Sequence, residues 1–378
     1  MKKLVLSLAM LAAIFTGCSS DDDSPSGPDV PTTGVLEGNI SSDLTLNSGT
    51  VYTLRGATYV KPGVTLTIPA GTRIEADAAF EEVAFLAIEK GAKINAQGTA
   101  ANPIVFTSNS TSPAPQDWGG LVICGNAITN LGANAQAEVT GLTYGGTNAA
   151  DNSGTLSHLI LEYTGNLIND DAEFNGVTFY AVGSGTTVNN ILVYQGSDDG
   201  FEWFGGSVNA TNLAAIGCQD DSFDWTEGFN GTLTNLYSDQ SVATGLSADS
   251  RGIEADNNAT NAMLAPISNP TLSNVTLIGR GLADVAKEGG IWLRRGTQAT
   301  ISNVYIADFK STASGAGYGV FFDGADSQAY FATHPLQNIN INNVTTTSNF
   351  PTSFSASTTA SGAGNGANEA TWMDWMGL

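Results

Sequence analysis

Gly200-Phe-Glu-Trp203, Ser222-Phe-Asp-Trp225 and Gly252-Ile-Glu-Ala255 are one phrase written three times: a small residue, an apolar residue, an acid, a second apolar residue. Outward from these, the same order recurs with other residues in the acid's place. Gly176-Val-Thr-Phe179 precedes them, and Gly290-Ile-Trp-Leu293 and Gly319-Val-Phe-Phe322 follow. A second phrase interleaves with the first and opens on Asn: Asn190-Ile-Leu-Val193, Asn212-Leu-Ala-Ala215, Asn235-Leu-Tyr237, Asn274-Val-Thr-Leu277 and Asn303-Val-Tyr-Ile306. Recurrence in fixed order at about 22 to 38 residues marks a solenoid, in which each repeat buries its apolar side against its neighbours. Alternation of period two inside each phrase makes the unit a strand rather than a helix. The chain is therefore expected to be an all-β protein of stacked coils with little helix.

Within the phrase, alternation also assigns faces. Phe201 and Trp203, Phe223 and Trp225, and Ile253 and Ala255 share the core side, so Glu202, Asp224 and Glu254 must point outward from three successive coils. Coils stack at about 4.8 Å, which makes these carboxylates a ladder, continued by Thr178 on one side and by Trp292 and Phe321 on the other. The adjoining corners are acidic as well: Asp198-Asp199 and Asp220-Asp221 hold equivalent places, and Asp249 with Arg251 takes the next. Two unit charges at about 5 Å repel by roughly 3 kcal/mol at an effective dielectric near 20. A fully ionised ladder needs a bound cation, an Arg partner or shared protons. Arg251, Arg294 and Arg295 are the arginines that the repeat places nearby. Clustered carboxylates and turn carbonyls suit calcium, so Asp198, Asp199, Glu202, Asp220, Asp221, Asp224 and Glu254 form a candidate metal set. Glu202, Asp224, Glu254, Arg251 and Trp292 form a candidate ligand face. A solvated acidic face screened by water and sodium is the plainer alternative.

Composition agrees with a long continuous core. The 378 residues are 42% apolar and only 13% charged, and 44 Gly supply tight corners. The Asn that opens each second phrase either forms an amide ladder from coil to coil or is an ordinary turn residue. Net charge is −23, which argues against nucleic acid and favours divalent cations, neutral glycans or basic partners. Cys124 and Cys218 sit in apolar strands and read as buried thiols; with only His158 and His334 available, zinc chemistry is disfavoured. His158, in Ser157-His-Leu-Ile-Leu161, reads as a structural strand residue. Met1 to Gly17, with its basic start and apolar run, reads as a signal peptide rather than a membrane span. Removing it leaves 36 acidic against 11 basic residues, a charge of −25. Residues 18–34 read as an acidic, Pro/Ser/Gly-rich tether and 35–350 as the coils, with 128–156 a loop extension. In the tail, 351–378, Trp372, Met373, Trp375 and Met376 are expected to cap the last coil, since an open end exposes strand edges.

The phrases VTLTIPAGTRIEA (64–76), AKINAQGTAANPIVFTS (92–108) and DWGGLVICGNA (117–127) resemble the opening coils of right-handed parallel β-helix proteins. Phe15-Thr-Gly-Cys18 resembles the lipobox of bacterial lipoproteins, with Cys18 as the lipidated residue. Taken from residue 35 to 343, the chain resembles outer-membrane lipoproteins of the Bacteroidetes that carry pectate-lyase-like β-helix repeats. The resemblance implies a single-domain right-handed parallel β-helix with an N-terminal cap, anchored in the outer membrane and exposed at the cell surface. It also implies, by analogy, a TonB-dependent transporter as partner, and it transfers no reaction. Pectate lyases and polygalacturonases share this architecture, but neither a Gly-His-Gly nor an Arg-Ile-Lys phrase occurs here, and an acidic surface repels polyuronates. The sequence thus favours a non-catalytic binding protein. A carbohydrate-active hydrolase using paired Asp/Glu is the first alternative, and an adhesive protein acting through loops 128–156 and 256–272 is the second.

Overall fold

The computed structural model describes residues 34–170, 172–283 and 287–378. The expected signal peptide, Cys18 and all of the tether but Gly34 lie outside them. One continuous sheet joins 24 strands, and every pairing within it is parallel. From Val177 to Phe322 short strands pair with short strands one coil on, as in Phe201–Phe204 with Phe223–Thr226. Long strands there do the same, as in Thr187–Tyr194 with Asn209–Ile216. In the first coils, by contrast, the long strands Val51–Val60 and Gly154–Glu162 each span two short ones. This is a single-domain parallel β-helix. The described residues contain one α-helix, Ala325–Phe331, which inserts Phe331 into the core, and no helix among them is long and apolar enough to cross a membrane.

Each repeated coil has three sides, and the Asn phrase makes the corner between two of them. Asn190, Asn212, Asn235, Asn274 and Asn303 all sit at positive φ, between 54 and 61°, where Asn is better tolerated than most residues. The long strand bends there. The amides also join from coil to coil: Asn212 donates to Asn190 at 2.9 Å, Asn235 to Asn212 at 2.7 Å, Asn274 to Asn235 at 2.9 Å and Asn303 to Asn274 at 2.8 Å. The two readings of these residues are both true, because the left-handed turn aims each amide along the stack. His158 occupies the same register position one coil earlier, with φ 52°. Its ring accepts or donates at Ser157 Oγ, 2.9 Å away, and packs edge-on to Trp375. That is a structural role.

The interior is a column of stacked rings. Phe201 lies 5.7 Å from Phe223, and Trp203 lies 5.7 Å from Phe179 and 5.5 Å from Phe229, all nearly parallel and inaccessible to water. Each ring removes about 200 Å² from solvent, on the order of 5 kcal/mol of transfer energy before entropy is counted. The small residue that opens the first phrase is a steric requirement. A Cβ at Gly200 would lie 2.7 Å from the Ser222 carbonyl oxygen, and one at Gly290 would lie 2.4 Å from that of Gly319. Cys124 and Cys218 are free buried thiols; burial pushes both up to about 12.

The C-terminal tail departs from the expected cap. Phe350 and Phe354 pack on the core, and Phe354–Ala356 forms the last rung. Trp372, Met373, Trp375 and Met376 instead lie on the flank of the solenoid, over Ile160, Leu192, Ala214, Ile216 and Tyr237. The chain between them runs back along the coils. Asn340 donates to Ala360 O, Asn303 to Gly362 O, Thr276 to Gly366 O and Tyr237 to Ala367 O. The outward residues of these long strands form an apolar stripe, and the tail covers it.

Candidate functional site

The short strands set the acidic row in register. Glu202 is opposite Asp224, Asp224 opposite Glu254, Thr178 precedes Glu202, and Trp292 and Phe321 follow Glu254. The corners before these strands bring Asp198-Asp199 and Asp220-Asp221 beside the row. Together they line a groove of about 440 Å³; among the described residues, ten of the fourteen that line it are Asp or Glu and none is basic.

Three of those ten carboxylates come from outside the repeat. Glu138 projects from the 128–156 extension, which folds as a small hairpin (Ala135–Gln136 with Thr143–Tyr144) over Tyr180 and Phe204, and it accepts from the Tyr180 hydroxyl at 3.0 Å. Asp170 and Glu173 come from the Leu167–Asn169 and Ala172–Glu173 hairpin. Asn175 and Ser247 complete the wall as donors, the first to Glu202 Oε2 at 2.6 Å and the second to Asp220 Oδ1 at 2.5 Å. Repeat alignment could not find Glu138, Asp170, Glu173 or Ser247, which lie in insertions between repeats, whereas Asn175 holds the repeat position of Asp199 and Asp221. The acidic content of the insertions was the only available signal.

Oxygen atoms of the groove converge in three overlapping triads: Asp198/Asp199/Asp220, Asp199/Glu202/Asp224 and Asp221/Asp224/Glu254, each within 4.8 Å. Asp199 belongs to the first two and Asp224 to the last two. Among the described residues, only the third triad contains a carboxylate paired with a basic side chain. Arg294 pairs with Glu254 and also donates through Nε to Asp256 at 2.6 Å, while Arg295 holds the other Asp256 oxygen at 2.6 Å. Asp221 is 4% exposed and Asp199 7%. Asp199 Oδ1 accepts from the Asp221 amide at 2.9 Å, but Asp221 Oδ1 and Asp224 Oδ1 are buried with no hydrogen-bond partner. A buried carboxylate oxygen without a donor costs on the order of 1–3 kcal/mol or more.

Burial first, and neighbouring carboxylates second, hold Asp198, Asp199, Glu202, Asp221 and Asp224 well above the usual carboxylate range. Asp220 is raised by burial, against the Ser247 hydrogen bond and the Arg251 charge. Glu254 is raised by burial to about 7, with Arg294 opposing the shift.

Of the residues expected on the ligand face, Trp292 continues the row one rung past Glu254, as expected, but stands outside the groove, and Arg251 is buried. Arg251 is 1% exposed, pairs with Asp249 and stacks 4.1 Å over Trp292. Trp292 in turn packs on Phe321 at 4.3 Å. Neither lines the groove. A Cβ at Gly289 would lie 3.3 Å from Arg251 Cδ, so the glycine leaves room for the buried arginine side chain.

The molecule is thus a parallel β-helix with an acidic groove built on one face of its short strands. The chain matches the model of the pectate-lyase-like β-helix domain over residues 38–376 and belongs to that family. No curated protein and no solved structure matches it. Membership fixes the architecture and leaves the chemistry to the groove.

Proposed function

We propose that this protein is a non-catalytic binding protein whose acidic groove holds calcium and presents it to a ligand or partner. The observation that carries this reading is the pair of partnerless oxygens, Asp221 Oδ1 and Asp224 Oδ1, buried among other carboxylates. The donor set is oxygen only, with carboxylates that can bridge and Ser and Asn groups beside them, which is the chemistry of a hard divalent cation. The lipobox-like Cys18 supports anchoring in the outer membrane with the solenoid displayed at the cell surface. A neutral glycan, chelated through its hydroxyls, or an outer-membrane transporter are the partners this arrangement suits. The test is thermal unfolding with calcium and with chelator, beside the variant Glu202→Gln/Asp224→Asn/Glu254→Gln. Calcium should raise the wild-type midpoint by several degrees and leave the variant unmoved. An equal response from both, or none from either, removes the cation from the groove.

One observation favours hydrolysis as a second reading. Burial raises Glu254 to about 7 against the opposing charge of Arg294, in the range useful for a proton donor at neutral pH, and it stands two rungs from Glu202. That separation of about 9.6 Å is at the upper limit for an inverting carboxylate pair. Hydrolysis of a neutral glycan that collapses in Glu202→Gln would establish it. A binder loses only affinity.

A further inference from the structure

On the flank away from the acidic groove, the C-terminal strap leaves a second cavity of about 410 Å³. Its floor is a ladder in strict register: Glu162 opposite Tyr194, Tyr194 opposite Ile216, Ile216 opposite Asp239. Two apolar rungs are therefore bracketed by two acids. Beside them Tyr237 is buried and Met376 of the strap lines the wall. Glu369, also from the strap, adds a third carboxylate at the rim. Asp239 and Glu369 both stand close enough to Tyr237 to help hold its phenol above its ordinary range, after burial. Among the described residues, none that lines the cavity is basic, and no ion pair reaches Glu162, Asp239 or Glu369. An apolar trough with negative charge at both ends is complementary to an apolar body with positive charge at both ends.

We propose that this flank cavity binds an aliphatic diamine or polyamine, its carbon chain lying along Tyr194 and Ile216 and its terminal ammonium groups held by Glu162 and Asp239. Three rung steps place those acids about 14 Å apart along the stack. An extended eight-carbon diamine sets its nitrogens about 11 Å apart, comparable with that span once charge-assisted hydrogen bonds of about 2.8 Å are added. The Tyr194 ring supplies an aromatic face near the path of the chain, a favourable neighbour for an ammonium group. This site is independent of the calcium groove, sharing no residue with it.

The experiment is calorimetric titration of the full chain at neutral pH with octane-1,8-diamine, octylamine and octane-1,8-diol. The diamine should bind at least tenfold more tightly than octylamine, and the diol should give no measurable binding. Glu162→Gln and Asp239→Asn, both partly exposed and tolerant of an isosteric amide, should each bring the diamine to within about threefold of octylamine; unchanged melting curves verify their folding. Asp199→Asn, in the other groove, should leave diamine affinity unchanged. Equal affinity for diamine and octylamine, or no binding of either, overturns the proposal. So does diamine binding that survives the Glu162/Asp239 double variant but is lost in Asp199→Asn, which would place the polycation in the acidic groove.

Discussion

Asp221 and Arg294 show how differently two neighbouring carboxylate groups are treated in one groove. Arg294 neutralises Glu254 and shares Asp256 with Arg295, so the third triad has its own counter-charge. Asp221 has none on its free oxygen. Replacing Asp221 by Asn removes one repulsive charge and adds two donors at nearly constant shape. In chelator the midpoint of Asp221→Asn should therefore rise by about 2 °C or more, corresponding to about 1 kcal/mol, and its calcium response should shrink. Arg294→Met should do the reverse. It strands Glu254, 8% exposed, and Asp256, 4% exposed, with less compensation, and should lower stability by about 3 kcal/mol in denaturant titration. A neutral outcome would mean that Arg295 and solvent already satisfy both acids. The core-and-surface alternation made Glu202, Asp224 and Glu254 legible from sequence alone, because period two is a geometric property of a strand. The same alternation argued against Arg251 as a member of the ligand face, since it shares parity with Ile253 and Ala255, and the structure buries it.

At the scale of the strand and its corner, the Asn ladder separates backbone strain from amide bonding. Asn235 makes one side-chain bond up the stack and one down, at φ 60°. Asn235→Gly keeps the left-handed turn and loses both bonds, which should cost about 1–3 kcal/mol. Asn235→Ala loses the same bonds and must also hold a Cβ in the left-handed region, about 1 kcal/mol more. Chemical denaturation of the two variants measures the difference directly; equal values would show that the corner relaxes. The recurrence of Asn at one register position was readable in the sequence, although composition could not distinguish ladder from turn. The tail was harder. Trp372, Met373, Trp375 and Met376 announced only that something apolar had to be covered. Outward Leu192, Ile216 and Tyr237 sit on strands whose Asn phrase alternates imperfectly, and Ile160 on the strand where His158 takes the Asn place. Apolar residues fall at consecutive positions in all of them, and that doubling marks a strand covered on both faces. Truncation after Ala356 should therefore expose a flank stripe and lower solubility while the terminal rung, Phe354–Ala356, stays paired.

Across the whole molecule, the groove couples stability to both pH and cations. Between its unfolded value of 4.5 and its folded value of about 7, Glu254 binds more protons folded than unfolded. A group raised in this way contributes stability that is complete below the unfolded pKa and is lost as pH rises through the folded one. For Glu254 the loss is on the order of 3 kcal/mol, and Asp198, Asp199, Glu202, Asp221 and Asp224 shift in the same direction for the same reason of burial. In chelator, the unfolding midpoint should thus fall as pH is raised from about 5 to about 7.5. Calcium binds the ionised carboxylates, so protonation competes with it. Its stabilising effect should be small at the acid end of that range and reach several degrees at the neutral end, flattening the pH profile of the metal-bound protein. The Glu202→Gln/Asp224→Asn/Glu254→Gln variant should show a shallower slope in chelator and little calcium dependence at any pH. A calcium effect of equal size at both ends of the range would place the cation away from these carboxylates. A flat profile in chelator would mean that the groove retains no excess protons for calcium to displace.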